Sequence, residues 1–426
     1  MMKKMDYQNV RGTQDYLPQE EIVRRKIRRT LEDTFIEYGC KPIETPILNY
    51  TDLMSSKYAG GAEILQEMYT LSDRGERDLA LRYDLTIPFA KVVAMNPTIS
   101  MPFKRYEIGK VFRDGPIKAG RFREFTQCDV DIVGASSQVA EAELMMMALH
   151  AFKKLEMDVV IQYNNRKLLA GMLEAFETPL DRMNKVVLVL DKIEKVGVNQ
   201  VLVELAELEL SDQTIKNIER FLMSEDNEQY TYFESYASEN EQVKEGLAEL
   251  IELDGYLNYL GIQLKCLFNP FLARGLEIYT GTIYEIFLEN QLIKSSIGSG
   301  GRYDNAIGGL IGSTESFSTV GISFGLDVIY TALSMEEKQW NKNDIDIYII
   351  PIGTLKQSLY LATKLRKDGY KVELEMGNRK VKKALDKANK EGYPFVVVLG
   401  EREVEDNQYK LKNMETGEEI IHTFTF

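Results

Sequence analysis

From Tyr106 to Asp131 apolar and polar positions alternate in two runs with a loop between them. Tyr106, Ile108, Lys110 and Phe112 fall on one face of the first run. Phe125, Gln127, Asp129 and Asp131 fall on one face of the second, because successive side chains of a strand point to opposite sides. Between them, Asp114-Gly115-Pro116 and Gly120 are turn formers: Pro fixes φ and Gly relieves it. The pattern predicts two antiparallel strands joined by a long loop.

Elsewhere the period changes. Ile27, Leu31 and Phe35 recur at steps of four, predicting a helix from Gln19 to Tyr38 that Gly39 ends. Its Arg24, Arg25, Arg28 and Arg29 read as a solvated face. A Pro-punctuated strand follows from Cys40 to Leu48. Residues 66–91 read as a hairpin turning at Ser72–Gly75, with a helix starting near Thr86. Asp84 and Thr86 stand at that junction, where either could cap the helix. Residues 137–155 form an amphipathic helix in which Met145, Met146 and Met147 fill the core.

From Asn165 to Tyr259 the spacing is helical and strand signals are few. The helices expected are Arg166–Phe176, Pro179–Val196, Val198–Leu208, Ser211–Met223 and Glu239–Leu260. Strand character returns at Gln263–Phe268 and Ile278–Phe287. A turn at Glu289-Asn290, a return strand to Ile297 and a flexible Gly-rich loop, Gly298–Asp304, are expected next. Residues 320–333 read as a Gly-punctuated strand entering a helix. From Asp344 onward strands and helices alternate, which implies a mostly parallel sheet flanked by helices and a closing hairpin at Thr416-Gly417.

Composition bounds this picture. A chain of 426 residues is too long for one ordinary core, so two or three domains are expected. A net charge of −14 argues against coating nucleic acid by bulk charge, yet the charge is uneven. Residues 344–426 hold 14 basic and 14 acidic side chains, so all of the excess lies before them. Arg379, Lys380, Lys382 and Lys383 cluster there, either as a solvated face or as a contact for RNA. Three scattered cysteines, Cys40, Cys128 and Cys266, suit neither a disulfide scaffold nor a zinc cluster, and no metal site is expected. No apolar run nears the ~20 residues needed to span a bilayer and no secretory signal opens the chain, so a cytoplasmic protein without a membrane anchor is expected. Only two histidines exist, His150 and His422, and neither sits in a motif. Chemistry by positioning and charge stabilisation is therefore favoured over proton shuttling.

The hairpin itself is suggestive. Arg113, Arg121 and Arg123 flank its loop, and arginine grips carboxylate or phosphate bidentately. Gln127, Asp129 and Asp131 run down the second strand. Cations at a mouth and acids at a floor fit a zwitterion plus a polyphosphate; a merely solvated hairpin fits the spacing as well.

The arrangement FR, loop, GRFREF and QCDVD resembles motif 2 of class II aminoacyl-tRNA synthetases, in the form found in histidyl-tRNA synthetases. RGTQDYLP resembles the opening of that family, the helix and Pro-punctuated strand after it resemble motif 1, and residues 320–333 resemble motif 3. RGLEIYTG (274–281) and GGRYD (300–304) are similar to two histidyl-specific motifs. The resemblance spans nearly the whole chain. It implies an α+β fold: a class II antiparallel sheet flanked by helices over residues 1–338, with a helical insertion at about 165–260, and an α/β anticodon-binding domain at 344–426.

The resemblance also implies an activity, in which histidine and ATP give histidyl-adenylate and the histidine passes to tRNA(His). Arg113 and Arg274 would be the catalytic cations on the α-phosphate, with Arg113 also on the substrate carboxylate. Asp84, Thr86 and Gln127 would hold the amino group, and Asp131 and Tyr279 the imidazole. Arg121 and Arg123 would reach the outer phosphates and Phe125 would stack on adenine. ATP with Mg²⁺, L-histidine, tRNA(His) and a second copy in a homodimer are the implied partners. The sequence departs from the pattern at Val328, where the family has an arginine against ATP. It departs also at Gly115, where an acid is usual, at Glu277 in place of Asp, and at Ile278 in place of an aromatic. The alternative is a non-catalytic paralogue such as the regulatory subunit of ATP phosphoribosyltransferase; a sensor of uncharged tRNA is a third reading.

Overall fold

The computed structural model describes residues 7–56, 65–273, 278–312, 316–336, 343–377 and 379–425. They fall into two compact units, one of residues 7–14 and 27–336, the other of 15–26 and 343–425.

The first unit is built on an eight-stranded sheet. In chain order its strands and those of a small companion sheet are β1 (Lys41–Pro42), β2 (Leu48–Tyr50), β3 (Thr70–Ser72), β4 (Asp78–Leu81), β5 (Phe103–Phe112), β6 (Glu124–Val133), β7 (Val159–Asn165), β8 (Cys266–Phe268), β9 (Thr282–Leu288), β10 (Gly298–Arg302) and β11 (Thr319–Gly325). The large sheet runs β1-β5-β6-β11-β10-β9-β7-β8, and β2-β4-β3 form the companion. The six central strands are all antiparallel; β1 and β8 join the edges in parallel.

One face of the central strands is apolar. Cys128 on β6 sits opposite Phe324 on β11. Phe324 packs on Phe35 of the helix Pro18–Glu37 at 5.6 Å and on Phe152 of the helix Val139–Lys154 at 5.8 Å. Ile27, Leu31 and Phe35, the expected stripe, are fully buried, as are Met145 and Met147. The opposite face of the same strands carries the acids. Sealing one side of β6 with aromatic packing leaves its other side to form a site.

The Gly-rich stretch from Gly298 is a strand, not a flexible loop, and the expected return strand before it is irregular. The reason is crowding. A Cβ on Gly300 would lie 2.0 Å from the Gly321 carbonyl oxygen, and one on Gly301 would lie 2.7 Å from that of Thr282. Glycine here admits neighbouring backbone rather than conferring mobility. Strand β9 starts at Thr282, later than expected, because Tyr279 occupies the space beside Gly301.

The helical block is present with two corrections. Pro179–Val196 is two helices, Met183–Leu190 and Ile193–Val196, and a further helix, Tyr230–Ala237, precedes the long Glu241–Tyr259. Its aromatic side chains made it poor in helical signal: Phe233 is fully buried against Phe221 and Phe268.

The second unit contains β12 (Ile347–Pro351), β13 (Val372–Leu374), β14 (Phe395–Leu399), β15 (Gln408–Asn413) and β16 (Glu419–Thr423), ordered β13-β12-β14-β15-β16. The first three are parallel and the last two add an antiparallel hairpin, as the alternation predicts. Arg24 is not solvated: it is buried and stacks on Tyr16 at 3.6 Å.

Candidate active site

The register of the sheet lays the site out in rows. One row holds Arg105, Asp131, Gly321 and Gly301 on β5, β6, β11 and β10. The next holds Glu107, Asp129, Ser323 and Ser299, and the row after it Gly109, Gln127 and Gly325. Side chains two residues apart share a face, so glycines at 321 and 301 form a backbone floor onto which the Asp131 carboxylate and the Tyr279 ring pack. An open cavity of roughly 470 Å³, counting its mouth, lies over that floor. Asp84, Thr86, Asp129, Asp131, Ile278, Tyr279, Ser299, Tyr303 and Ser323 are among its lining residues. Four expected substrate ligands, Asp84, Thr86, Asp131 and Tyr279, are thus brought to one place from three separate segments.

Beneath the cavity is a buried ionic lattice. Arg105, fully buried, places Nη2 2.5 Å from Asp131 Oδ2 and stacks on Phe89 at 4.3 Å. Tyr303 donates its hydroxyl proton to the other oxygen of Asp131. Arg82 donates to Glu107 Oε1 at 2.8 Å and to the Thr45 carbonyl at 2.7 Å; Thr45 in turn donates to Glu107. A Cβ on Gly109 would strike Arg82 at 2.2 Å, which explains that glycine. Arg105, Glu107, Arg82 and Tyr303 have no role in the reading of the sequence. The available signal was the opposite face of β5, where Arg105, Glu107 and Gly109 mirror Asp131, Asp129 and Gln127.

The acids are unusually proton-loving. Burial pushes Asp84 up to about 6, with Arg113 and Arg105 opposing it. Burial pushes Asp129 up to about 7 and raises Asp131 as well, although Arg105 stands beside both. Asp84 also accepts from the Ile87 backbone N–H at 3.2 Å, so it caps the helix Thr86–Met95 while facing the cavity.

The arginines sort differently. Arg113 is held by a hydrogen bond from Nε to the Tyr83 carbonyl at 2.9 Å and lies over the Phe125 ring at 5.3 Å. Burial lowers its guanidinium from the ordinary value, with Asp84 the main opposing charge. Arg123 pairs with Asp114 at 2.8 Å and packs over Gly12, where a Cβ would meet its Cγ at 2.6 Å. Arg121 is exposed on the loop. Gln127 donates to Ser323 Oγ at 3.1 Å rather than lining the cavity itself. Arg274 and Glu277 lie outside the described residues.

Val328 lies in the first turn of the helix Leu326–Met335 and abuts the hairpin loop: a Cβ on Gly120 would approach its Cα to 3.0 Å. Its neighbour Asp327 accepts from the Thr126 backbone N–H at 2.7 Å, tying this helix to β6. No group of three metal-ligating side chains occurs among the described residues.

An antiparallel sheet of this order, with an arginine-bearing hairpin, a helix-led strand at its edge and a closing strand–helix unit, is the catalytic fold of a class II aminoacyl-tRNA synthetase. A family model for histidyl-tRNA synthetase matches residues 12–329, and one for an anticodon binding domain matches 346–424. The chain belongs to the histidyl-tRNA synthetase family. It is 58% identical to histidine--tRNA ligase 2 of Shouchella clausii over all of both chains. It is 56% identical to histidine--tRNA ligase 1 of Bacillus thuringiensis subsp. konkukian, covering 98% of this chain and 97% of that one. The crystal structure of histidyl-tRNA synthetase from Nostoc sp. PCC 7120 superposes with a TM-score of 0.86 at 27% identity, covering 99% and 97% of the two chains. These relatives support the synthetase reading and not the non-catalytic alternative.

Proposed function

We propose that this protein is a histidine–tRNA ligase that activates histidine with ATP and transfers it to tRNA(His), and that the cavity over Gly321 and Gly301 is where activation occurs. The observation that carries the siting is the convergence of Asp84, Thr86, Asp131 and Tyr279 on one cavity with Arg113 at its side.

Asp84 and Thr86 hold the α-ammonium, with Gln127 acting through Ser323. Asp131 and Tyr279 stand at the imidazole end. Arg113 bridges the histidine carboxylate and the α-phosphate. As the carboxylate oxygen forms its bond to phosphorus and pyrophosphate leaves, charge builds where this guanidinium is fixed in advance, so it need not reorganise. The carboxylate is already a nucleophile, and alignment replaces proton transfer. The resemblance assigns the second cation on the α-phosphate to Arg274. Phe125 faces the adenine, while Arg121 and Arg123 reach the outer phosphates once Arg123 leaves Asp114. ATP enters as its Mg²⁺ complex, the ion being part of the substrate.

Residues 344–426 bind the anticodon, and the exposed Lys380, Lys382 and Lys383 suit a phosphate backbone. Arg379 is less available, being paired with Glu375 at 2.6 Å. A homodimer is supported by the exposed apolar side chains Ile47, Leu48 and Tyr50, which follow the motif 1 helix and suit a second copy. A cytoplasmic location follows from a role in charging tRNA. Histidine-dependent exchange of pyrophosphate into ATP on the purified protein tests the activity. Vigorous exchange is expected; its absence with histidine still bound would overturn the catalytic reading.

A further inference from the structure

Arg302 ends β10 and points away from the cavity. Its sequence neighbours Gly301 and Tyr303 line the cavity, and alternation sends Arg302 to the other face of the sheet. There it is buried beside Glu141, which is fully buried. The guanidinium grips that carboxylate with two parallel bonds, Nε to Oε1 at 2.7 Å and Nη2 to Oε2 at 2.8 Å. It also donates to the Ala135 carbonyl at 3.1 Å and to the Ser137 carbonyl at 3.3 Å. Nothing in the proposed chemistry uses this ion pair.

A buried ion pair is a weak source of stability, because desolvation cancels much of the attraction. What this pair fixes is place. Ala135 and Ser137 follow β6, the strand that carries Asp131, and Glu141 sits in the first turn of the helix Val139–Lys154. From the main chain, Arg302 accepts the Thr280 N–H at 2.8 Å, and the Asp304 N–H donates to the Thr280 hydroxyl at 3.1 Å. Gly281 lies against the Arg302 stem: a Cβ there would come 3.1 Å from Cδ. Thr282 donates its hydroxyl to the Gln138 side chain, just before the helix, at 2.9 Å. Residues 280–282 are thus tied at successive positions to Arg302 and to the start of that helix. Tyr279, the residue before them, rests its ring on Gly301.

We infer that Arg302 is a positioning residue: clamped on Glu141 and the 135–137 turn behind the sheet, it sets the gap between Asp131 on β6 and Tyr279, the two side chains at the imidazole end. This rests on the reading of the cavity as the histidine site and adds what holds its width. The task needs a planar fork that meets a carboxylate and two carbonyls at once, which the compact ammonium of lysine does not provide. Slack in the gap loosens the substrate ring. It leaves the nucleotide alone, because on the proposed roles Arg113 and Phe125 hold that from the 103–133 hairpin.

The test compares Arg302→Lys and Glu141→Gln with wild type in histidine-dependent pyrophosphate exchange and in thermal melts. In both variants kcat/KM for histidine should fall roughly 10- to 100-fold, the scale of a misplacement near 1 Å. The fall should lie in the KM for histidine, with the KM for ATP unchanged. The double variant Arg302→Met, Glu141→Leu separates placing from folding. It strands no charge and should melt near wild type, yet its histidine KM should stay raised, because an aliphatic pair cannot hold the Ala135 and Ser137 carbonyls. Recovery of the histidine KM along with the melting temperature would make the pair merely structural and overturn the inference. Equal rises in both KM values, or an unchanged histidine KM in folded Arg302→Lys, would overturn it as well. Should the single variants not fold, the double variant decides alone. If wild-type protein shows no histidine-dependent exchange, the reading of the cavity fails and the inference falls with it; exchange in wild type with the variants unaltered overturns the inference alone.

Discussion

Arg105 and Asp131 face each other across the β5–β6 pair, 2.5 Å apart, with side chains 0% and 5% exposed. Neither charge has water to fall back on. Removing one partner leaves the other buried and unmatched, which costs about 3–5 kcal/mol. Arg105→Met should destabilise the protein by that amount in urea denaturation. Adding Asp131→Leu to it should restore part of the loss, because no charge then remains stranded.

Arg113 plays a different part. Among the described residues its side chain is fixed by a hydrogen bond to the Tyr83 carbonyl and by the Phe125 ring, so its loss should spare the fold. Arg113→Gln is expected to lower the exchange rate roughly 10²- to 10³-fold, the usual effect of removing one preorganised transition-state donor, with little change in melting temperature.

Gly300 is expected to be intolerant of even a methyl group. Its Cβ would meet the Gly321 backbone oxygen at 2.0 Å, whereas at Gly298 the nearest atom is the tip of Ile286 at 3.0 Å. Gly300→Ala should lose more stability than Gly298→Ala, by about 1–3 kcal/mol, in matched thermal or denaturant melts.

Asp84 predicts a pH dependence. Its folded-state pKa of about 6 lies above the ordinary 3.8, so between those values the folded chain holds a proton that the unfolded chain has released. This group therefore favours folding at low pH and costs stability as pH rises through 6. Ligand-free Asp84→Asn should be more stable than wild type at pH 8, on the order of 1–2 kcal/mol after allowing for solvent screening. The difference should close as the pH approaches 4. Chemical denaturation across that range measures it.

How much of this was legible in the chain depended on how local the cause was. The 103–133 hairpin is written in its own alternation, and both strands form as that pattern requires. The second unit's order of strands and helices was equally plain. The Gly298–Arg302 strand was misread because the cause of its glycines lies on β9 and β11, distant in sequence. The break at Asp191 in the helical block carries no Pro or Gly to announce it. Asp84, Asp131 and Tyr279, which line the cavity, were singled out through motifs. Arg105 and Tyr303 were passed over because their importance arises from partners 26 and 172 residues away.

Val328 resting on the hairpin loop at Gly120 has a pharmacological consequence. On the reading proposed above, nucleotide mimics designed to stack on the guanidinium that the resemblance implies at this helix would find only an isopropyl group here. A compound series that relies on that contact should spare this protein, and one that exploits the smaller side chain should select for it. An organism possessing both kinds of synthetase could thus survive poisoning of one by depending on the other.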